Sequence, residues 1–310
     1  MVDSLQSTKS TEETMWTNAC FLTRLVASSV RVSEAAGGII KGIMADGDLK
    51  IINKSLTGTQ DLQTEADRSA QYLIEKSLQE KFGNRLKIIG EEDKTTHVPH
   101  FELGFSKDVR GRCDLVDPLD GTCEFAQAAK TKSPLLQQVT VLIGITYKGK
   151  AMLPYYLEQG RTVWGIKGVG AFGAHDTRED SAERVVVTTR SHSTTMVQDA
   201  LDALKDKNLL SRVDRVGGAG FKAIRCLEDA AAYVFASAGC KKWDTAAAEA
   251  ILDAAGGRLT DISGRGLADA QRSNSGGVLA TAAWVNHQEY LDAIPSTVKE
   301  NLPENEKNTR

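Results

Sequence analysis

The stretch DLVDPLDGTCEF, residues 114–125, sets the strongest limit on how this chain can fold. A run that reads as a strand meets Pro118, which lacks an N–H and pushes Asp117 toward extended backbone, so the strand is expected to stop there. Gly121 tolerates a left-handed backbone, and Thr122 supplies a hydroxyl where a helix is expected to start. Strand, tight turn and helix are thus prescribed within twelve residues. The same stretch carries Asp114, Asp117 and Asp120, each three residues apart. Like carboxylates repel at close range, and burying them is costly unless a cation pairs with them. Either the turn is fully solvated or a cation sits in it. With the turn closed, carboxylates at i and i+3 and the Leu119 carbonyl can point at one place, and such hard oxygen donors suit Mg²⁺ far better than zinc.

Further acids fall at comparable places. Asp61 opens DLQTEADR, where a helix over Leu62–Phe82 is expected; Glu91-Glu92-Asp93 follows the short strand KIIG; and Asp244 opens the helix WDTAAAEAIL. Singly, Asp61 and Asp244 read as helix N-caps, GEED as a solvated turn and DPLDGT as an Asx-type turn. Together they gather where strands or loops give way to turns and helices, the places where α/β folds collect ligands.

The surrounding pattern divides in two. Residues 20–44 read as one long helix weakened at Gly37-Gly38, or as two short ones. VTVLIGITYKGKAML reads as a hairpin turning at Lys148-Gly149-Lys150, so the first half looks like helices against an antiparallel sheet. From about residue 195 helix and strand alternate, which points to an α/β layer. A length of 310 residues suits two domains. Apolar content of 41% and charged content of 25% are those of a soluble globular protein, and a net charge of −3 argues against a nucleic-acid polymer as partner. Five scattered cysteines without a C-x-x-C pair fit a reducing compartment. No secretory signal is visible and no window approaches the ~20 apolar residues of a membrane span, so a cytoplasmic protein with no membrane partner is expected.

Asp61, Glu91-Glu92, Asp117-Pro118-Leu119-Asp120-Gly121-Thr122 and Trp243-Asp244-Thr245-Ala246-Ala247 together resemble the signature of the lithium-sensitive, magnesium-dependent phosphomonoesterases. That superfamily includes inositol monophosphatase, inositol polyphosphate 1-phosphatase and fructose-1,6-bisphosphatase. GDLKI (47–51), DLQTEADR, IIGEED, VTVLIGITYKGKA, TTRSHS (188–193), RVGGAG-x-K (215–222) and YVFASAGCKKWDT (233–245) bring the resemblance nearest to its bisphosphate nucleotidase branch, over residues 20–300 or so.

The resemblance implies a layered α-β-α-β-α sandwich that combines α+β and α/β parts. Its expected divisions are a disordered polar tail (1–18), an α+β domain with an antiparallel sheet carrying most metal ligands (19–186), an α/β domain with the nucleotide pocket and last ligand (187–300), and a frayed end (301–310). It implies two or three Mg²⁺ ions, with Glu91, Asp117 and the Leu119 carbonyl on the first and Asp117, Asp120 and Asp244 on the second. Thr122 and Asp61 would form the pair that accepts a proton from the attacking water. Gly121, Thr122, Thr189, His192, Gly218, Lys222 and Lys242 would meet the substrate; the glycine turn before Lys222 also reads, by itself, as an anion site at a helix N-terminus.

The implied activity is hydrolysis of the 3′-phosphate of adenosine 3′,5′-bisphosphate to AMP and phosphate, extending to 3′-phosphoadenylyl sulfate, with inhibition by Li⁺. The implied partner is a small phosphonucleotide, and the implied state a monomer. An inositol phosphate phosphatase, and a non-catalytic nucleotide or metal sensor, stand as alternatives. Three features depart from the pattern: a longer segment at 126–138, a strand cut to Ala151–Pro154, and Phe221 where a polar residue is expected.

Overall fold

The structure, a computed structural model, describes residues 14–55, 61–92, 112–131, 133–147, 154–156, 160–178, 183–191, 193–267 and 273–302. His192, Asp93, the turn at 148–150 and residues 151–153 of the shortened strand lie outside the described residues, as does all but the first part of the frayed end.

Residues 14–18 are helical (α1), within the stretch expected to be an unstructured tail. Helix α2 (Phe21–Asp46) runs unbroken through Gly37-Gly38, and Gly47 ends it in a left-handed conformation. Its continuity follows from a buried stripe, Leu25, Val26, Val32, Ala36 and Ile40, that packs against α3 and the first sheet. Ile52–Asn53 (β1) and Leu62–Gln63 (β2) pair antiparallel, so α3 (Glu65–Phe82) starts later than its apolar spacing predicts. Its cap is Thr64 rather than Asp61. Thr64 Oγ1 accepts the Ala66 N–H at 3.1 Å, and Asp67 Oδ2 accepts the Thr64 N–H at 2.7 Å, a reciprocal capping box.

Next come β3 (Lys87–Gly90), β4 (Arg112–Asp120), α4 (Thr122–Thr131), β5 (Thr140–Tyr147), β6 (Pro154–Tyr156) and β7 (Arg161–Thr162). Strands β3 to β7 lie side by side in that order, with β3–β4 parallel and the other neighbours antiparallel. The expected antiparallel sheet therefore has one parallel edge. The short β6 still pairs with β5, Leu142 opposite Pro154. A hairpin of β8 (Trp164–Ile166) and β9 (Gly170–Phe172) follows.

The second half supplies β10 (Val185–Thr189), α5 (Thr195–Asp206), β11 (Arg212–Val216), α6 (Ala219–Glu228), β12 (Ala232–Phe235), β13 (Cys240–Lys241), α7 (Lys242–Ala255), β14 (Arg258–Thr260), β15 (Ser273–Asn274), β16 (Val278–Thr281), α8 (His287–Ala293) and α9 (Ser296–Glu300). Its sheet has the order β11-β10-β12-β16-β14, parallel around β10 and antiparallel around β16.

Strand alternation assigns the faces. In β5, Val141, Ile143 and Ile145 cluster with the apolar faces of α2 and α3. Gly144 and Leu142 point the other way: a Cβ on Gly144 would lie 2.9 Å from Ala246 of α7, and one on Gly220 of α6 would lie 2.5 Å from Leu142. In the second sheet, Val187, Tyr233, Val278 and Ala280 cluster with Ala223 of α6 and Leu252 of α7. Val186, Val234 and Leu279 cluster instead with Leu201 of α5 and Tyr290 of α8. Helices α6 and α7 are thus shared by both sheets, and the layers run α-β-α-β-α.

Strand β4 does not stop at Pro118. Its pairing with β5 is broken there and resumes at Asp120, with Asp117 opposite Leu142 and Asp120 opposite Thr140. Three steps along β4 match two along β5, so a bulge absorbs one residue. In a regular strand residues 117 and 120 would face opposite sides of the sheet. Because Leu142 and Thr140 share a face, the bulge turns both aspartates toward the middle helices.

Candidate active site

The bulge opens onto a cleft of about 1560 Å³, lined by Glu91, Asp117, Leu119, Asp120, Thr122 and Asp244 among others. The four acids arrive on three supports: Glu91 after β3, Asp117 and Asp120 on β4, and Asp244 in the first turn of α7. Asp244 sits inside that turn rather than capping it, and its Oδ2 accepts the Lys241 N–H at 2.7 Å.

The electrostatics are those of crowded, buried like charge. Burial pushes the Asp117 carboxyl well above its ordinary value, and Glu91, Asp120 and Asp244 push it further. Asp244 is raised to about 7 by burial and by Glu91 and Asp120. Glu91 is raised by burial, with Lys54 opposing and Glu92 adding to the shift. Lys54 lies 3.4 Å from Glu91, 3.2 Å from Glu92 and 3.5 Å from Asp61. Burial works against its ammonium, but those three carboxylates outweigh burial and hold its pKa above the ordinary value.

A divalent cation fits this donor set. Carboxylate and carbonyl oxygens are hard ligands suited to Mg²⁺. The Cys240 thiol is held protonated by burial and by Asp244, and it donates to Asp244 Oδ2 at 3.5 Å. The mutual elevation of the acids is what a cation among them would reverse. Among the described residues no three acid, imidazole or thiol side chains already converge on one point. The acids ring the cleft, and Asp120 spends both oxygens on the protein itself.

That use of Asp120 corrects one expectation. The N-terminus of α6, read as an anion site for the substrate, is filled by Asp120: Ala219 N donates to Oδ1 and Gly220 N to Oδ2, each at 2.8 Å, and Thr140 Oγ1 adds a third bond at 2.8 Å. Gly217 N is taken by Gln138 Oε1 at 2.6 Å. Gln138 belongs to the longer 126–138 segment, which therefore braces the glycine turn. A Cβ on Gly217 would fall inside Glu124, whose carboxylate pairs with Arg190 at 2.8 Å.

The expected Thr122–Asp61 pair is not formed. Asp61 stands at the cleft rim with its side chain 57% exposed and paired to Lys54. Thr122 Oγ1 instead lies 3.1 Å from Asp67 Oδ1 and 3.1 Å from the Leu119 carbonyl. Asp67 also accepts from Thr64 Oγ1 at 2.5 Å, and burial raises its carboxyl to about 7. The reason is register: β2 takes up the residues after Asp61, and the first turn of α3 brings Asp67 to the start of α4. The spacing Thr64-x-x-Asp67, a capping box read directly, was the available signal.

The other expected substrate residues divide. Gly121, Thr189, Gly218 and Lys222 line the cleft. Lys222 is buried, with burial lowering its pKa against the pull of Asp120 and Glu124, and its ammonium lies 5.3 Å from the Tyr233 ring centroid. Lys242 is buried away from the cleft, and Lys241 lines it instead. Phe221 packs with apolar residues around α6, so its departure from the pattern does not reach the cleft.

Residues 22–299 match the inositol monophosphatase family. The chain is 44% identical to 3′(2′),5′-bisphosphate nucleotidase 1 of Rattus norvegicus, a match that covers 91% of this chain and 97% of that protein. It is 43% identical to the Homo sapiens protein of the same name, again over 91% and 97%. Among solved structures, the extragenic suppressor protein suhB of Bartonella henselae aligns with a TM-score of 0.69 at 19% identity, covering 87% of this chain and 98% of that one, a likeness of fold.

Proposed function

This chain belongs to the inositol monophosphatase family, and on that premise we propose that it hydrolyses the 3′-phosphate of adenosine 3′,5′-bisphosphate, giving AMP and inorganic phosphate. The same site would take 3′-phosphoadenylyl sulfate. The observation that carries the reading is that Thr122 lines one cleft with Glu91, Asp117, Asp120 and Asp244 while its hydroxyl is bonded to the buried Asp67 behind it. A sensor that only binds needs the acids; it has no use for a proton acceptor beside them.

Family members are generally Mg²⁺-dependent, and Glu91, Asp117, the Leu119 carbonyl, Asp120 and Asp244 are the groups that would hold two or three such ions here. When bound, Mg²⁺ supplies positive charge for the phosphoryl oxygens and makes a nearby water more acidic. Thr122 and Asp67 do the rest of that proton's work. The Thr122 hydroxyl can pass its hydrogen to Asp67 while accepting one from the attacking water, so the burial-raised Asp67 carboxyl ends as the proton holder. Water oxygen then forms the new bond to phosphorus as the bond to the 3′-oxygen breaks; the 3′-oxygen leaves as an alkoxide and takes its proton from solvent water to become the AMP hydroxyl, while the proton on Asp67 returns to solvent. No covalent enzyme intermediate is required.

Gly218, Lys222, Thr189 and Lys241 line the remaining wall and would meet the nucleotide. With Asp120 filling the α6 N-terminus, the 5′-phosphate is assigned to the Thr189, Lys222 and Lys241 side chains and not to the helix end. No described helix is long and apolar enough to cross a membrane, and we assign the protein to the cytoplasm, acting as a monomer.

The test is phosphate release in Mg²⁺ from adenosine 3′,5′-bisphosphate, inositol 1,4-bisphosphate and inositol 1-phosphate, with and without millimolar Li⁺. Lithium-sensitive release mainly from the nucleotide is expected. Preference for an inositol phosphate would keep the acid site and overturn the substrate. Binding of the nucleotide without release from any compound would make the protein a sensor.

A further inference from the structure

A neutral side chain lies behind the strand end that carries Glu91 into the acid ring. Gln71 of α3 is buried, and its amide is spent on the strand end that carries Glu91 and Glu92. Gln71 Oε1 accepts the Glu92 N–H at 2.9 Å, and Gln71 Nε2 donates to the Glu92 carbonyl at 2.9 Å. A second Nε2 hydrogen goes to Glu75 Oε1 at 3.1 Å. These partners fix which way the amide faces: the N–H requires the oxygen, and the carbonyl and carboxylate require the nitrogen.

Two bonds to the N–H and C=O of one residue imitate the pairing of a neighbouring strand. They do so where the sheet no longer can. The ladder between β3 and β4 reaches its last bond at Glu91 N, which donates to Val116 O at 2.9 Å. The Glu91–Glu92 backbone is therefore held at Glu91 by the sheet and at Glu92 by Gln71. The fit is close: a Cβ on Gly90 would fall inside the Gln71 amide, so the glycine leaves room for the clamp.

We propose that Gln71 is the positioning residue of the cation site, setting the direction in which Glu91 presents its carboxylate to the cleft. It acts through the Glu91–Glu92 backbone, since each polar atom of its amide already has a protein partner. The inference rests on the reading of Glu91 as a metal ligand. Residues that orient ligands from behind commonly change metal affinity by ~10–100-fold when replaced.

The test uses Gln71→Met, which keeps the side-chain length and removes all three bonds, and Gly90→Ala, which displaces Gln71 without deleting it. Mg²⁺ binding is titrated calorimetrically without substrate, alongside the Mg²⁺ dependence of phosphate release. Gln71→Met is expected to weaken Mg²⁺ binding ~10-fold or more, with kcat and nucleotide KM at saturating Mg²⁺ within ~2-fold of the parent. Gly90→Ala is expected to do the same, and the double variant to be no worse than the worse single one, since both remove one clamp. Should Gln71→Met fail to fold, Gly90→Ala carries the same test.

A lowered melting temperature with unchanged Mg²⁺ affinity would mean that Gln71 is packing alone, and would overturn the proposal. Glu91→Gln separates the two readings. If it loses Mg²⁺ affinity while the clamp variants do not, the positioning inference is wrong. If it keeps full affinity, the ligand assignment fails and takes this inference with it.

Discussion

Asp117 is the residue on which the acid ring turns. It is buried, and Glu91, Asp120 and Asp244 all raise its pKa after burial has already done so. Asp117→Asn removes one of the mutually repelling carboxyls at little change in volume. Turnover is expected to fall by ~10³-fold or more, the several kcal/mol a metal clamp contributes, while the metal-free protein melts at the same or a higher temperature. Substantial residual activity would show that Asp117 is not a ligand. In the proposed mechanism, Thr122 and Asp67 make a second, separable contribution. Thr122→Ala leaves the acids in place and removes the relay to Asp67, so kcat is expected to drop by ~10²–10⁴-fold with nucleotide KM nearly unchanged. Steady-state kinetics at saturating Mg²⁺ distinguish this from a binding defect, which would raise KM.

Two elements convert chain direction into site geometry. The β4 bulge places Asp117 and Asp120 on one face, which regular alternation forbids at odd spacing. The α6 turn then locks Asp120 with backbone N–H groups and approaches β5 closely, a Cβ on Gly220 lying 2.5 Å from Leu142 and 2.6 Å from Thr140 Oγ1. Gly220→Ala must push α6 away from β5 or strain both, at a cost of ~1–3 kcal/mol. Urea unfolding is expected to show that loss. Because the displaced element also carries the Gly220 N–H bond to Asp120, Mg²⁺ affinity should fall with it. A full-stability variant would mean that the layer spacing is loose.

For the whole molecule, the acid ring predicts how stability depends on pH. Asp67 and Asp244 are each raised to about 7 by burial, above their ordinary carboxyl values. A group with a raised carboxyl pKa binds its proton more tightly when folded, so the folded chain carries more protons than the unfolded one between the two pKa values. Stability of the metal-free protein must therefore fall as pH rises from about 4 through about 7, and level off above that. Mg²⁺ bound as proposed would favour the ionised acids and work in the opposite direction. Melting temperatures at about pH 5 and about pH 8, with chelator and with Mg²⁺, check the sign. The chelated protein is expected to be more stable at the lower pH, and Mg²⁺ to raise the melting temperature chiefly at the higher one. A chelated protein that gained stability with rising pH would contradict the burial of these groups.

What the linear chain determined was chemistry of local origin. The DPLDGT turn, the acids after β3 and in the first turn of α7, the helix–strand alternation and the capping box at Thr64 all depend on residues a few positions apart. Their physical causes, a missing N–H, a tolerated backbone angle and an apolar period, act within one turn or one strand. Tertiary structure decided the rest. The family resemblance implied Asp61 as the partner of Thr122, yet β2 pairing delays α3 and delivers Asp67, 55 residues before Thr122 in the chain. The α6 N-terminus looked open to a substrate anion, yet Asp120, 99 residues before Ala219, occupies it. Gln71 and Gln138 carry no local mark, since a glutamine on a helix or in a turn is ordinary until a distant backbone group needs its amide. Partners this far apart are chosen by how sheets and helices stack, and only the burial of both at once gives the choice its energy.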